Sequence, residues 1–391
     1  MRYRRFGKTG LAVPRISCGA MRFMRSWKDI PFDRIPRESQ ENAERTVKAA
    51  FDAGINHFET ARGYGSSEIQ LGKAIKRVPR DEIILQTKAF PLADPKEFEA
   101  LIETSFDRLD VERVDLLALH GLDEKHLPRL QMCAEIVEKW KLQGRVGHLG
   151  FSTHAPMGTV RRIIQTGLFE YVNLHYYYIF QDNLPAIELA ERYDMGVFII
   201  SANDKGGLLY SPSEKLLNLT KPLSPMAFND LFCLSTPGVR TVSVGAAKPS
   251  DFKEHINALD HLPSTGPSPI AAEIAKRLDN VQREVVGDDW MDADASNLPV
   301  WSETPGKINL PVILRLWRLA KALDMLEYAK MRYNILNQGH WFPGKDAGIL
   351  LDPVDGPRVE KGIIEICSEK HPLFAEKIPE ILRKAHSALN T

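Results

Sequence analysis

A tyrosine, a lysine and a histidine at the ends of three successive apolar runs are the parts needed to protonate a carbonyl oxygen while a hydride reaches its carbon. Tyr64 sits with Glu59 in INHFETARGYGSSE, Lys88 in IILQTKAF and His120 in VDLLALHGL. A phenol with an ordinary pKa of about 10 is a poor acid at neutral pH, so it needs a nearby cation to stabilise the phenolate. Lys88 would supply that cation. Glu59, on the far side of the lysine, would fix the ammonium and keep it charged in a partly buried place. His120 would hydrogen-bond the substrate oxygen and orient it toward the hydride donor. Each residue alone is ordinary: a strand-end lysine is usually a solvated charge, and a lone histidine usually a structural one. Their joint delivery to one rim is what implies carbonyl reduction.

The elements that must position them are legible as a repeat. Eight short runs recur, VPRISCGA, GINHFET, EIILQTK, VDLLALH, VGHLGFS, YVNLHYYY, GVFIIS and VRTVSVG. Between them lie segments such as ENAERTVKAAFDAG and LPRLQMCAEIVEKWKLQG, whose apolar residues return every three or four positions and which close on Gly54 and Gly144. Strand and helix alternating eight times predict a (β/α)8 TIM barrel over residues 1–262. A doubly wound sheet is the other architecture for this alternation, but GAMRFM after the first run lacks the G-x-G-x-x-G phosphate loop. In barrels the chemistry sits where strands end and helices begin, which is where the four residues above fall.

With 391 residues and 43% hydrophobic content, the chain can bury one large core and still leave about 100 residues for an appendage. Its 51 basic and 51 acidic residues cancel without long runs of either sign, so no nucleic-acid partner is expected. The opening MRYRRFGKTGLAVPR lacks the apolar core of a signal peptide, and no stretch reaches the roughly 18 apolar residues of a membrane span. A cytoplasmic location without membrane association is expected. Cys18, Cys133, Cys233 and Cys367 stand singly, which fits reduced thiols better than a disulfide framework or a zinc site, and no metal site is expected.

The motifs resemble those of the aldo-keto reductase family. MRYRRFGKTGLAVPRISCGA resembles the family's opening hairpin and first strand, and FETARGYGSSE its F-D-T-A-x-x-Y-x-x-S-E signature. The resemblance covers residues 1–262 and implies a barrel that reduces an aldehyde or ketone with NAD(P)H, acting on a small-molecule carbonyl substrate. Carried over, Tyr64 would be the proton donor, Lys88 its activator and His120 the orienting group. Glu59 stands where the family usually has Asp, one methylene shorter, a difference of about 1.5 Å along the stem.

For the cofactor, the resemblance implies NADP, with NAD open. Ser152 in GFSTH corresponds to the serine that hydrogen-bonds the carboxamide, Thr153 stands where Asn is usual, and Asn173 where Gln is usual. ISANDKGGLL, from Ser201 through Gly206 and Gly207, resembles the loop crossing the pyrophosphate, where Lys205 would add charge. In VGAAKPSDFKEHI the slots that relatives fill with cations for the adenosine 2′-phosphate read Gly245, Ala246 and Asp251, leaving Lys248. The altered Glu59, Thr153 and Asn173 also admit a second reading, a nicotinamide-sensing module with negligible turnover.

After LPSTGPSPI the texture changes to a helical C-terminal extension, residues 263–391, including VILRLWRLAKALDMLEYAKMRY. Its apolar faces need a cover, either the barrel or a protein partner. It resembles the ferredoxin-like tail of a family subgroup, in degenerate form. Where that subgroup carries C-x-x-C-x-x-C, LPVWSETPGKINLP has no cysteine, and IIEICSEKHP keeps only Cys367, so no iron-sulfur cluster is expected. The aromatic-rich EYAKMRYNILNQGHWFPGKDA, with His340 and Trp341, reads either as packing or as a surface at the barrel mouth or for a partner.

Overall fold

The computed structural model describes residues 1–293, 297–339 and 341–391. His340 lies outside the described residues. Two compact units are present, one made of Met1–Gly206 with Met226–Ala271, the other of Gly207–Pro225 with Ala272–Thr391.

The first unit opens with a hairpin, β1 (Tyr3–Arg5) and β2 (Ala12–Pro14), and continues into β3 (Ile16–Gly19), β4 (His57–Glu59), β5 (Ile84–Ala89), β6 (Val114–Leu122), β7 (Val146–Thr153), β8 (Tyr171–Leu174), β9 (Gly196–Ile199) and β10 (Val239–Val244). From β3 onward every pairing is parallel, and β10 returns to β3 to close the barrel, as the eight-run pattern requires. Parallel closure needs a crossover after each strand. These are α1 (Arg37–Asp52), α2 (Ser67–Ala74), α3 (Pro95–Leu109), α4 (Leu130–Leu142), α5 (Met157–Gln165) and α6 (Leu184–Arg192), with α7 (Glu214–Leu219) and α8 (Pro225–Ser235) between β9 and β10, and α9 (Phe252–Ala258) after it.

The helices bury one stripe each. In α4 that stripe is Leu130, Cys133, Ile136, Val137 and Trp140, spaced by three and four. Helix α3 starts where Asp94 accepts the backbone N–H of Glu97 at 3.0 Å and Pro95 takes the first turn, and it stops on Asp110 in the left-handed region. The strands are buried on both faces, hence their near-continuous apolar runs.

The hairpin plugs the end of the barrel opposite the chemistry. Phe6 is fully buried with Val13, Ile84, Leu116, Ala118, Tyr171 and Phe198. Gly196, the first residue of β9, lies so close under the Phe6 ring that a Cβ there would be 2.5 Å from it, which marks this as the strands' N-terminal end.

The second unit is helical. After α10 (Pro269–Val286) come α11 (Asp288–Asp292), α12 (Leu310–Leu323), α13 (Leu326–Tyr333), α14 (Gly356–Ser368), α15 (Pro372–Ala375) and α16 (Ile378–Leu389). Helix α7 belongs here: Ser213, its N-cap, donates to the Leu323 carbonyl, and Arg277 donates to the carbonyls of Leu219 and Lys221 at 3.0 and 2.8 Å. Tyr333 hydrogen-bonds His386 Nδ1 at 2.8 Å, and Trp341 is buried, stacked on Phe342. Among the described residues, no helix is long and apolar enough to cross a membrane.

Replacing Phe6 with Ala empties the plug. Urea unfolding followed by tryptophan fluorescence should show a loss of about 3–5 kcal/mol, and a loss below about 1 kcal/mol would mean that the hairpin does not seal the barrel.

Candidate active site

The segment Glu59–Glu68 is folded by its own polar groups. The Arg62 N–H donates to the Lys88 carbonyl at 2.9 Å, locking the turn after β4 onto β5. The Arg62 guanidinium pairs with buried Glu68 and with Asp29, and Thr87 donates to Glu68 at 2.7 Å. Two glycines let the turn approach its neighbours: a Cβ on Gly63 would meet the Phe90 ring at 2.8 Å, and one on Gly65 would sit 1.9 Å from the Ser26 carbonyl. Tyr64 thereby projects over the strand ends, half-buried.

Lys88 is fully buried and its ammonium contacts Glu59 directly, donating also to the Thr60 carbonyl at 2.9 Å. Burial alone would lower the lysine's pKa, yet the charges of Glu59 and Tyr64 and their hydrogen bonds raise it above its ordinary value. The other oxygen of Glu59 accepts from Ser243 of β10 at 2.9 Å. A Cβ on Gly19 would fall 2.9 Å from Glu59 Oε1 and 2.6 Å from Ser243 Oγ, so the bare backbone of β3 provides the room for the longer carboxylate.

The Lys88 ammonium stands 5.0 Å from the centroid of the Tyr64 ring. Burial pushes the Tyr64 phenol above its usual pKa, with Lys88 pulling against that rise. The phenol is therefore protonated at neutral pH and faces a cation able to hold the phenolate. His120 meets Tyr64 edge-on, ring centroids 5.6 Å apart, and is stacked on Phe90 at 4.9 Å. Desolvation and the charges of Lys88 and Lys205 depress its pKa to about 3, so the imidazole is neutral. Its Nδ1 is buried without a hydrogen-bond partner. Trp27, exposed, lies edge-on to Tyr64 at 6.4 Å.

Around the same rim, Ser152 and Asn173 are paired in register on β7 and β8. Ser152 accepts the Gly121 N–H at 2.9 Å. Asn173 is fully buried, and both polar atoms of its amide lack a partner. An amide aimed at nothing in the protein is costly unless a ligand completes it, and a carboxamide offers the matching donor and acceptor. The Thr153 hydroxyl is engaged locally, donating to the Leu122 carbonyl at 2.7 Å and accepting from the Ala155 N–H at 2.9 Å.

Ser201 to Gly206 form a tight turn. Ser201 has φ of 58°, the Lys205 N–H donates to the Ser201 carbonyl at 3.0 Å, and a Cβ on Gly206 would sit 1.9 Å from the Ala202 carbonyl. Gly206 is thus required by the turn itself, and Gly207, at φ of 131°, begins the second unit. The Lys205 Nζ lies 3.3 Å from Nε2 of His175, which follows β8. After β10, Arg22 donates to the Gly245 carbonyl at 3.2 Å, while the N–H groups of Ala247 and Lys248 both donate to Asp251. That carboxylate occupies backbone donors an anion would otherwise use.

A sequence model described as "Aldo/keto reductase family" matches residues 15–218. The chain belongs to the aldo/keto reductase family. It is 31% identical over 170 residues to "Probable aldo-keto reductase 1" of Glycine max, a match covering 40% of this chain and 46% of that protein. It is 25% identical over 298 residues to "L-galactose dehydrogenase" of Arabidopsis thaliana, covering 67% of this chain and 89% of the relative. Among solved structures, the holo form of an aldo-keto reductase from Bacillus halodurans superposes over 71% of this chain and 96% of its own, with a TM-score of 0.59 at 22% identity, a likeness of fold. The chain thus spans about half of the soybean protein and most of the Arabidopsis one.

In this family member the structure brings Glu59, Tyr64, Lys88 and His120 together, with Ser152, Asn173 and Lys205 on the same rim. Sequence reasoning missed the residues that support them: Gly19 and Ser243 around Glu59, Phe90 under His120, Arg62 and Glu68 beneath Tyr64, and His175 beside Lys205. Only the Arg62–Glu68 pair had a local signal, since both lie inside the signature segment. Among the described residues, no group of three His, Cys, Asp or Glu stands placed to hold a metal, and all four cysteines are buried free thiols.

With its pKa near 3, the His120 ring should show no titration between pH 5 and 8. Histidine-labelled NMR checks this, and a midpoint near the ordinary value of about 6.5 would overturn the electrostatic account.

Proposed function

We propose that the chain is an NAD(P)H-dependent oxidoreductase that reduces an aldehyde or ketone to the alcohol. The observation that carries this reading is the buried Lys88–Glu59 pair set against the Tyr64 phenol, with neutral His120 across from it. Family membership supports it independently.

The orphaned Asn173 amide, with Ser152 beside it, fits a nicotinamide carboxamide, and Ser201, Gly206 and Gly207 are the candidate backbone for the pyrophosphate. Bound there, the dinucleotide supplies the hydride. The protein's residues do the rest. Tyr64 Oη donates its proton to the carbonyl oxygen, which becomes a far stronger base than a phenolate as reduction proceeds. Lys88 holds the resulting phenolate, and Glu59 keeps the lysine in place. Neutral His120 hydrogen-bonds the same oxygen, and Phe90 stacked on its ring restricts its rotation. Trp27 and Phe90 set apolar surface beside Tyr64 and His120. Asp251, held by the two backbone donors beside Lys248, leaves less for an adenosine 2′-phosphate, so either dinucleotide is a candidate.

Tyr64→Phe should lower kcat for NADPH- or NADH-dependent carbonyl reduction by about 10²–10⁴-fold while dinucleotide affinity, read by fluorescence titration, is retained. Undiminished turnover removes Tyr64 from the mechanism. If the wild type binds dinucleotide but reduces no aldehyde, quinone or ketone in a broad panel, the nicotinamide-sensing reading replaces this one. Asn173→Ala should weaken dinucleotide binding by about tenfold in calorimetry, the loss expected for a buried amide pairing; an unchanged Kd would move the carboxamide elsewhere.

A further inference from the structure

Between β3 and α1 the chain runs from the strand end to the first crossover helix without forming a strand or an α-helix. Among the described residues, no backbone carbonyl accepts from an N–H of residues 25–30, so side chains must set their course. The Arg25 N–H donates to Ser66 Oγ at 3.2 Å. The Ser26 and Lys28 carbonyls lie against Gly65, where a Cβ would fall 1.9 and 3.1 Å from their oxygens. Arg108 of α3 donates to the carbonyls of Ile30 and Gly65, each at 3.4 Å. The segment is thus laid along the turn that carries Tyr64.

Asp29 is the charged member of that contact. Its two oxygens meet two guanidiniums, Oδ2 that of Arg62 and Oδ1 that of Arg108, while Arg62 holds fully buried Glu68 with its other arm. Both arginines are largely buried and Asp29 is half-exposed. Burial and the charge of Arg62 lower the Arg108 pKa, with Asp29 and Glu68 opposing them. Two cations and two carboxylates therefore balance in one cluster. Without the Asp29 charge, two crowded guanidiniums would be left with a single carboxylate, and the segment would lose its tie to both.

Trp27 stands two residues before Asp29. Its indole meets the Tyr64 ring edge-on, centroids 6.4 Å apart, yet it is 66% exposed. An indole beside the proton donor that buries so little of itself is apolar surface available to whatever is attached to the carbonyl. We infer that Asp29 is a positioning residue: through Arg62 and Arg108 it fixes the segment between β3 and α1, so that Trp27 presents its indole to the substituent of the carbonyl that Tyr64 protonates. The inference rests on the carbonyl-reductase reading above.

The test uses the full chain, labelled with 5-fluorotryptophan for NMR and assayed with NADPH or NADH on 2-naphthaldehyde against propanal. The Trp27 line, assigned by its loss in Trp27→Phe, should shift and narrow in Asp29→Asn as the indole gains freedom. Arg108→Gln, which removes one arm of the contact, should move the same line in the same direction. The wild type should favour 2-naphthaldehyde by about tenfold or more in kcat/KM, and Asp29→Asn and Trp27→Ala should each reduce that ratio through KM. The double variant should lose no more than either alone, as expected when one residue acts through the other. A Trp27 line unmoved in both Asp29→Asn and Arg108→Gln, or losses that add in the double variant, overturns the inference. Asp29→Asn that lowers kcat for both aldehydes alike while the ratio persists assigns its effect to Tyr64 through Arg62 and likewise overturns it. A wild-type ratio near one, with both aldehydes reduced, overturns the inference and leaves the reductase reading standing. Failure to reduce either aldehyde counts against the reductase reading, and the inference falls with it.

Discussion

An ammonium with no access to water is the constraint around which the candidate site is built. Lys88 and Glu59 are 0% and 5% exposed, and removing two such charges from solvent costs several kcal/mol for each ion before any attraction is counted. The protein offsets that cost with direct contact between the pair, the Thr60 carbonyl on the lysine and the Ser243 hydroxyl on the carboxylate. Tyr64 adds a phenol that becomes a second counter-charge when ionised. An arrangement so unfavourable without each of its members contributes little net stability; its product is a phenol beside a fixed positive charge.

The barrel's register carries the arrangement from strand to strand. Gly19 pairs with Glu59, and Glu59 with Gln86, two residues before Lys88 and on the same face of β5. Lys88 in turn pairs with Ala118, two residues before His120. Each step of two keeps the side-chain direction and advances toward the C-terminal rim, so residues dozens of positions apart reach one rim without any long loop. Ser152 and Asn173 continue the ring from the next pair of strands.

How much of this was readable follows from distance along the chain. The eight strands and the helices between them show in periodicity, because each element's burial pattern is local. Glu59, Tyr64, Lys88 and His120 were readable because strand ends in a barrel converge, whatever their separation in sequence. The substitution of Glu for Asp could be noticed but not explained, since its explanation lies in Gly19 and in Ser243, 184 residues beyond Glu59. Likewise Lys205 was legible as a charge in a glycine-containing turn. Its approach to His175 was not, since that residue stands 30 positions earlier, just past the end of another strand. Asp251 read as a charge opposed to phosphate, whereas its carboxylate is taken up by the backbone just before it.

The second unit is assembled from two stretches of chain, Gly207–Pro225 and Ala272–Thr391, with β10 and its flanking helices between them. Ser213 depends on the Leu323 carbonyl, and the Leu219 and Lys221 carbonyls on Arg277, so the short stretch completes its hydrogen bonds only with residues that come later in sequence. The helical part is accordingly not a detachable module. Trimming the chain at LPSTGPSPI would leave α7 stranded inside the remaining polypeptide, and a chimera that exchanged the tail would have to be spliced at two junctions.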